Sequence, residues 1–178
     1  MEYGGPDAAL AVARASCPCI TAWKAVPRTK APPLATQFIR ENRNSMIPPF
    51  DDSGWLPPGV HPATLAEIEA RFGRESELRR VQMESVRWMV ELAVRAGAQR
   101  IVLNGSFVTD IMEPNDVDCV LLFRPGRRRN RAAIKELRDG LPFLDMKLVG
   151  QEEFDEYVSV TFGTDRVGTP KGTMEVML

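Results

Sequence analysis

The sequence IVLNGSFVTDIMEPNDVDCVLLF occupies residues 101–123 and contains two apolar, β-prone runs joined by a turn-rich connection. The first run leads into Gly105 and Ser106, and the second begins beside Asp116 and Asp118. Because glycine has no Cβ, the backbone amides around Gly105 are able to approach a bound anion closely. The stretch therefore predicts a strand, an anion-binding turn, and a second strand that carries a pair of carboxylates.

The two carboxylates are expected to share one face of the second strand. Successive side chains of a strand alternate between its faces, so Asp116 and Asp118 project to one side and Val117 and Cys119 to the other. Two like charges this close are costly unless a cation lies between them. Hard oxygen ligands favour Mg²⁺ over Zn²⁺, so the sequence predicts a magnesium site here.

The composition is that of an ordinary globular protein. The chain has 178 residues, of which 44% are hydrophobic and 26% charged, and these values exclude collagenous and wholly disordered classes. The formal charge of −1 gives no overall attraction to nucleic acid or to an anionic membrane. No apolar run approaches the length of a membrane-spanning helix, so no membrane partner is expected. The spacing of Cys17, Cys19 and Cys119 indicates a reducing compartment, and we expect a cytoplasmic protein.

The chain divides into two regions that differ in composition and periodicity. Residues 1–45 are rich in Ala, Pro and basic residues with weak periodicity, and we expect a poorly ordered extension. Residues 46–178 form the predicted domain, and one hypothesis is that the functional protein starts at Met46. The segment 46–62 is dense in turn formers but carries Phe50, Trp55 and Leu56, which predicts an ordered strap anchored by aromatic burial.

The rest of the chain alternates helical and strand patterns. Thr64 and Glu67 form a capping-box pattern before a short helix that ends at Gly73, and Gly97 ends a longer helix. The predicted helices cover residues 65–72, 75–96, 132–139 and 151–157, and the predicted strands cover residues 100–104, 117–123, 143–149 and 173–178. Residues 158–162 fit either a helix end or a strand. These elements predict an α/β (α+β) domain in which helices back a short mixed sheet, with 100–104 and 117–123 antiparallel neighbours.

The joint pattern resembles a known superfamily. Three motifs carry the resemblance: Leu103-Asn-Gly-Ser106, the Asp-x-Asp of Asp116 and Asp118, and Asp145, which has apolar neighbours on a later strand. Together they are similar to the motifs of nucleotidyltransferases of DNA polymerase β type, in particular the minimal single-domain members. The resemblance covers residues 75–150. Residues 47–61 and 162–172 are similar to those of an uncharacterised group of small nucleotidyltransferase-like bacterial proteins.

The resemblance implies a minimal nucleotidyltransferase fold and a reaction. Asp116 and Asp118, completed by Asp145, would hold two Mg²⁺ ions that grip a nucleoside triphosphate, and Asp145 would help to deprotonate an acceptor hydroxyl. Gly105 and Ser106 would take the phosphates. The expected activity is transfer of AMP from ATP to a hydroxyl of a protein or small molecule. The alternative is a non-catalytic nucleotide-binding or partner-binding module with the same fold.

The acceptor is expected to come from another chain. Larger relatives append a helical domain that holds the acceptor, whereas here little sequence follows Val149. The resemblance therefore implies either a protein partner, as in minimal nucleotidyltransferases that act as antitoxins by adenylylating a toxin, or a homodimer that forms the acceptor groove.

Three basic or titratable features have two interpretations each. Arg166 and Lys171 surround a predicted surface turn, and the sharper hypothesis is that one of them lies over the triphosphate. The arginines of the loop 124–131 would suit phosphates, but no aromatic residue is interleaved for base stacking, so nucleic acid is the less favoured partner. His61, the only histidine, is expected to make a structural hydrogen bond.

Overall fold

The computed structural model describes residues 47–124 and 130–178. The predicted extension 1–45, Met46, and the arginines 127–129 lie outside the described residues. In chain order the elements are β1 (Gly59–Ala63), α1 (Leu65–Phe72), α2 (Glu77–Ala96), β2 (Arg100–Asn104), a 3₁₀ turn (Ser106–Val108), β3 (Val117–Leu122), α3 (Arg131–Asp139), β4 (Leu144–Val149), α4 (Gln151–Glu156), a π-helical turn (Tyr157–Thr161) and β5 (Gly172–Val176).

The start of α1 and the end of α2 follow the predicted capping signals, whereas the Ser76 cap of α2 was not predicted. Thr64 and Glu67 form the capping box of α1, in which Glu67 Oε2 accepts the Thr64 amide at 2.8 Å. Ser76 caps α2 by accepting the Arg79 amide, and Gly97 ends that helix with φ of 84°, where a side chain would be strained. These local signals fix where the two helices that precede the first central strand begin and end.

The five strands form one mixed sheet in the order β1-β5-β2-β3-β4. As predicted, β2 and β3 are antiparallel neighbours, and β2 also pairs antiparallel with β5. The outer pairs, β1 with β5 and β3 with β4, are parallel. The predicted class, a short mixed sheet backed by helices, is confirmed.

The sheet has an apolar layer on each face. Ile101, Leu103 and Cys119 point towards α1, α2 and α3 in the larger core. Val102, Val120 and Leu122 point the other way, towards α4 and the π-helical turn. Since side chains alternate along a strand, Asn104 and Asp118 continue this second face at the end of the sheet. No helix of the described residues is both long and apolar enough to cross a membrane.

The structure departs from the predictions in the strap and decides between the two predicted alternatives in segment 158–162. The strap is ordered, with Leu56 buried, but its last part forms strand β1 where the proline-rich sequence predicted only turns. That strand is stabilised by parallel pairing with β5, a contact between distant parts of the chain. His61 does make the expected structural contact, 2.7 Å from Nε2 to the Pro57 carbonyl, although it lies in β1 and not at a helix entry. The ambiguous segment 158–162 largely forms the π-helical turn.

Candidate active site

Gly105 lies at the end of β2, directly under the side chain of Asp118. Its φ is 81° and its ψ is −166°, a region open essentially to glycine alone. A Cβ at this position would overlap Asp118 Oδ2 and stand 3.1 Å from Asp118 Cγ. Glycine is therefore required both for the backbone conformation and for the room that the carboxylate occupies.

Of the three predicted carboxylates, Asp118 adjoins this turn, Asp145 lies beside Asp118 on β4, and Asp116 is exposed directly before β3. Asp118 lies opposite Asn104 in the β2–β3 ladder and opposite Asp145 in the β3–β4 ladder. Burial raises the pKa of Asp118 above its usual value, and the negative charges of Asp116 and Asp145 raise it further. Asp118 is therefore a carboxylate whose charged form the fold destabilises.

Two lysines oppose these charges. Lys147 Nζ binds Asp145 Oδ1 at 2.8 Å on the outermost strand. Lys171, only 8% exposed, precedes β5 and has its ammonium 4.6 Å from the centre of the Trp55 ring. Burial lowers the pKa of Lys171, and the charges of Asp118 and Asp165 act in the opposite direction. A buried ammonium within electrostatic range of Asp118 is a candidate group for binding an anion.

The loop between Gly105 and Asp116 is held by a residue that the sequence did not single out. Arg79, in the first turn of α2, is completely buried. Its guanidinium donates to the carbonyls of Phe107 at 2.8 Å, Thr109 at 2.8 Å and Ile111 at 3.1 Å, and to that of Phe72 at 3.0 Å. Arginine presents five N–H donors in a rigid fork, so one side chain fixes several turns of the loop. Helical periodicity predicts a charged residue at the surface, which is why this contact was missed.

Further contacts fix the same loop from both sides. Gln82 Nε2 donates to the Pro114 carbonyl at 2.7 Å, and Ser76 Oγ donates to the Met112 carbonyl at 3.1 Å. From the strap, the Gly54 carbonyl accepts the Asp110 amide at 3.3 Å. The loop is thus fastened by α2 and by the strap, with its two ends at the carboxylates.

The two remaining predicted residues occupy different surroundings. Ser106 is half-buried at the start of the 3₁₀ turn, beside Gly105, and its carbonyl accepts the Thr109 hydroxyl at 2.7 Å. Arg166 is exposed in a hairpin whose turn is stabilised by Asp165 Oδ1, which accepts the Val167 and Thr169 amides. Within the described part of the chain, Arg166 makes no ion pair. The structure therefore brings Lys171, but not Arg166, to the carboxylates.

Two buried polar atoms beside the site have no hydrogen-bond partner. They are Asn104 Oδ1 on β2 and Thr173 Oγ1 on β5. Continuing the β2–β5 register by one residue places Asn104 opposite Thr173. A row of polar side chains, from Thr173 through Asn104 and Asp118 to Asp145, thus crosses four neighbouring strands. Unpaired buried polar atoms are rare in folded proteins, and here they adjoin the cluster of charges.

The fit of Mg²⁺ is supported by the chemistry of the donors and not by their present placement. Carboxylate oxygens are the ligands that Mg²⁺ prefers. The pKa of Asp118 is raised by burial and by neighbouring negative charges, and a cation would relieve the repulsion. Among residues 47–124 and 130–178, however, no group of three acidic, His or Cys side chains is close enough to hold a metal ion. One oxygen of Asp145 is bonded to Lys147 instead.

Comparison with known proteins gives a family without an assigned activity. Residues 48–177 match a family of unknown function, DUF6932. The chain therefore belongs to the DUF6932 family. No curated protein and no solved structure is significantly similar to it. The DUF6932 region includes every strand of the sheet and all the candidate site residues, from the strap to β5.

Proposed function

We propose that this DUF6932 protein is a Mg²⁺-dependent nucleotidyltransferase that transfers a nucleoside monophosphate, AMP from ATP, to an acceptor hydroxyl. The observation that carries the proposal is the position of Asp118, which lies against Gly105 and in register with Asp145. The predicted phosphate turn and the predicted carboxylates, far apart in sequence, thus adjoin one another. The resemblance of these motifs to nucleotidyltransferases supplies the reaction.

Each residue of the cluster has a role in this proposal. Asp116, Asp118 and Asp145 would hold the metal, which supplies charge neutralisation for the triphosphate. The amides of the Gly105–Ser106 turn and the Lys171 ammonium bind phosphate oxygens. The acceptor oxygen forms a bond to the α-phosphorus while the bond from that phosphorus to the pyrophosphate oxygen breaks, and Asp145 receives the acceptor proton. For this role Asp145 must exchange its bond to Lys147 for one to the acceptor.

The acceptor is proposed to belong to a partner, such as the toxin of a toxin–antitoxin pair, or to a small molecule. The loop fastened by Arg79 presents Ile111 and Met112, which are 47% and 58% exposed, next to the strap. Exposed apolar side chains beside a site of this kind suit contact with another chain.

A second candidate function is a non-catalytic module that binds a nucleotide or a partner. It is favoured by the Lys147–Asp145 contact, which leaves the carboxylates short of a metal-ligand set in the described residues. In this alternative the lysines neutralise the cluster permanently.

Incubation with ATP labelled at the α-phosphate, Mg²⁺ and candidate acceptors separates the two candidates. The proposal predicts label on the acceptor and release of pyrophosphate by the wild type, and neither by Asp116→Ala/Asp118→Ala. Tight binding of Mg²⁺–ATP without pyrophosphate release would support the non-catalytic module. Label transfer that survives in the double variant would exclude the proposed roles of these carboxylates.

A further inference from the structure

Strand β4 is the outermost strand of the sheet in the described part of the chain. Within the described residues it pairs only with β3, and a groove of about 530 Å³ runs along its free side. The groove is lined by the whole strand, by Leu137 and Arg138 of α3 on one side, and by Glu153 and Tyr157 on the other. A strand that is paired on one side only is a template for pairing with another strand.

The hydrogen bonds to β3 show which backbone groups of β4 are free. The Val117 amide donates to the Phe143 carbonyl, and the Phe123 amide donates to the Val149 carbonyl, both at 2.9 Å. Backbone groups of alternate residues in a parallel ladder point to opposite sides. The odd-numbered residues of β4 therefore bond to β3, and Leu144, Met146 and Leu148 direct their N–H and C=O groups outwards. Of these groups, the Leu144 amide already donates to the Leu141 carbonyl at 3.3 Å.

We propose that this edge pairs with the β4 strand of a second copy of the chain, antiparallel, about a two-fold axis at Met146. An isologous contact must place residues with outward-pointing backbone groups opposite one another, so the registers without a bulge centre on Asp145, Met146 or Lys147. A centre at Asp145 sets that carboxylate against its own copy, and a centre at Lys147 does the same for the ammonium. Only the centre at Met146 sets each Asp145 opposite the Lys147 of the second copy.

The side chains of the edge suit the same register. The side chains of Leu144, Met146 and Leu148 are only partly buried and point to the face that carries α3. In the dimer, each Leu144 would lie against Leu148 of the second copy, and the two Met146 side chains would lie against each other. On the other face, Asp145 and Lys147 are 52% and 46% exposed, and their charges would form two symmetric pairs across the axis. Opposite charges directly across a strand pair are stabilising, and like charges are destabilising. This dimer places Lys147 of the second copy at the end of the carboxylate row, but it does not depend on the proposed reaction.

A charge swap tests the register. Sedimentation velocity of the full chain over a wide concentration range should show a dimer for the wild type. Asp145→Lys and Lys147→Asp should each weaken it by roughly tenfold or more, since two attractive pairs become repulsive. The double variant Asp145→Lys/Lys147→Asp should recover the wild-type dissociation constant. Because the Met146 amide points away from β3, Met146→Pro should abolish the dimer and leave the circular dichroism spectrum of the monomer unchanged.

Three results would overturn the proposal. The first is a folded wild type that remains monomeric over the whole concentration range, as would be found if the edge pairs with a different chain. The second is a dimer that neither single charge reversal weakens. The third is a double variant whose dimer stays as weak as those of the single variants.

Discussion

The carboxylate of Asp118 lies so close to Cα of Gly105 that any side chain at residue 105 would displace it. The end of β2 and the start of β3 are therefore matched to each other at the level of single atoms. Asn104 and Asp145 lie opposite Asp118 on the neighbouring strands, and the charge of Lys171 acts on the same carboxylate. The contact between Gly105 and Asp118 therefore joins two paired strands and also lies within the proposed catalytic site.

Replacement of Gly105 by Ala should cost more stability than the backbone conformation alone explains. Gly140, with φ of 90° and ψ of 154°, has the same kind of backbone but nothing within 4 Å of the position that a Cβ would take, so Gly140→Ala is the matched control. We expect each variant to lose about 1–3 kcal/mol from backbone strain. Gly105→Ala should lose on the order of 1–3 kcal/mol more through overlap with Asp118.

Urea unfolding of both variants measures these costs. In an Asp118→Ala background the additional cost at residue 105 should disappear, because the overlapping atoms are gone. Equal losses for Gly105→Ala and Gly140→Ala would show that the Asp118 contact is not tight.

Replacement of Arg79 by Met should release the loop between Gly105 and Asp116. The change leaves several buried carbonyls without donors, so we expect a loss of about 3–4 kcal/mol in the free energy of unfolding. Hydrogen exchange should accelerate selectively in residues 107–116. Arg80→Met, one residue along α2 and exposed, is the control and should change stability by less than about 0.5 kcal/mol. Unchanged hydrogen exchange in the loop of the Arg79 variant would contradict the role of Arg79 in holding the loop.

The contribution of Asp118 to the stability of the protein should fall as pH rises through the pKa of Asp118. Because that pKa is higher in the folded state than in the unfolded chain, the folded protein binds the proton more tightly. The contribution of Asp118 is then greatest below the ordinary pKa of Asp and is lost as pH rises through the raised value. Asp118→Asn, which stays neutral, should match the wild type at low pH and exceed it at neutral pH.

Urea unfolding at a series of pH values gives this comparison, with Asp52→Asn in the exposed part of the strap as the control. A neutral-pH stability of Asp118→Asn below that of the wild type would mean that the charged carboxylate is stabilised by its surroundings and would contradict the assigned pKa direction.

Lys171 should matter for nucleotide affinity more than Arg166 does. Lys171 is buried beside Trp55 and senses the charge of Asp118, whereas Arg166 is exposed in the hairpin. Loss of one charge-assisted hydrogen bond to a phosphate corresponds to about tenfold or more in affinity, so calorimetric titration with Mg²⁺–ATP should show that decrease for Lys171→Gln. Arg166→Gln should bind as the wild type does. A decrease in affinity for Arg166→Gln alone would indicate that the phosphates bind at the hairpin.

The local elements of this fold were predictable, whereas the long-range contacts were not. Thr64, Gly97 and the apolar runs around Asp118 carry signals within a few residues of one another, and each predicted element there is confirmed. Strand β1 has no such signal, because Gly59–Ala63 becomes a strand only by pairing with β5, which lies far along the chain. The insertion of β5 between β1 and β2 is a property of the assembled sheet in the same way.

The residues of the candidate site likewise divide into those that the sequence identifies and those that only the structure identifies. The motif residues Gly105, Asp118 and Asp145 could be selected from the sequence, and the structure places them together. Arg79 could not, since its carbonyl partners lie as far as 32 residues away along the chain, and a charged residue in a helix is ordinarily solvated. The unpaired oxygens of Asn104 and Thr173 are likewise visible only once two strands are side by side.

The most direct test of the carboxylate cluster is the binding of Mn²⁺, a stand-in for Mg²⁺, with a non-hydrolysable ATP analogue. Electron paramagnetic resonance of free Mn²⁺ measures how much the protein removes from solution beyond what the analogue binds. We expect the wild type to remove Mn²⁺ in a nucleotide-dependent way, and Asp116→Ala/Asp118→Ala, still folded by circular dichroism, to remove none. Equal removal by the two proteins, or none by the wild type, would contradict the assignment of these carboxylates to a metal–nucleotide site.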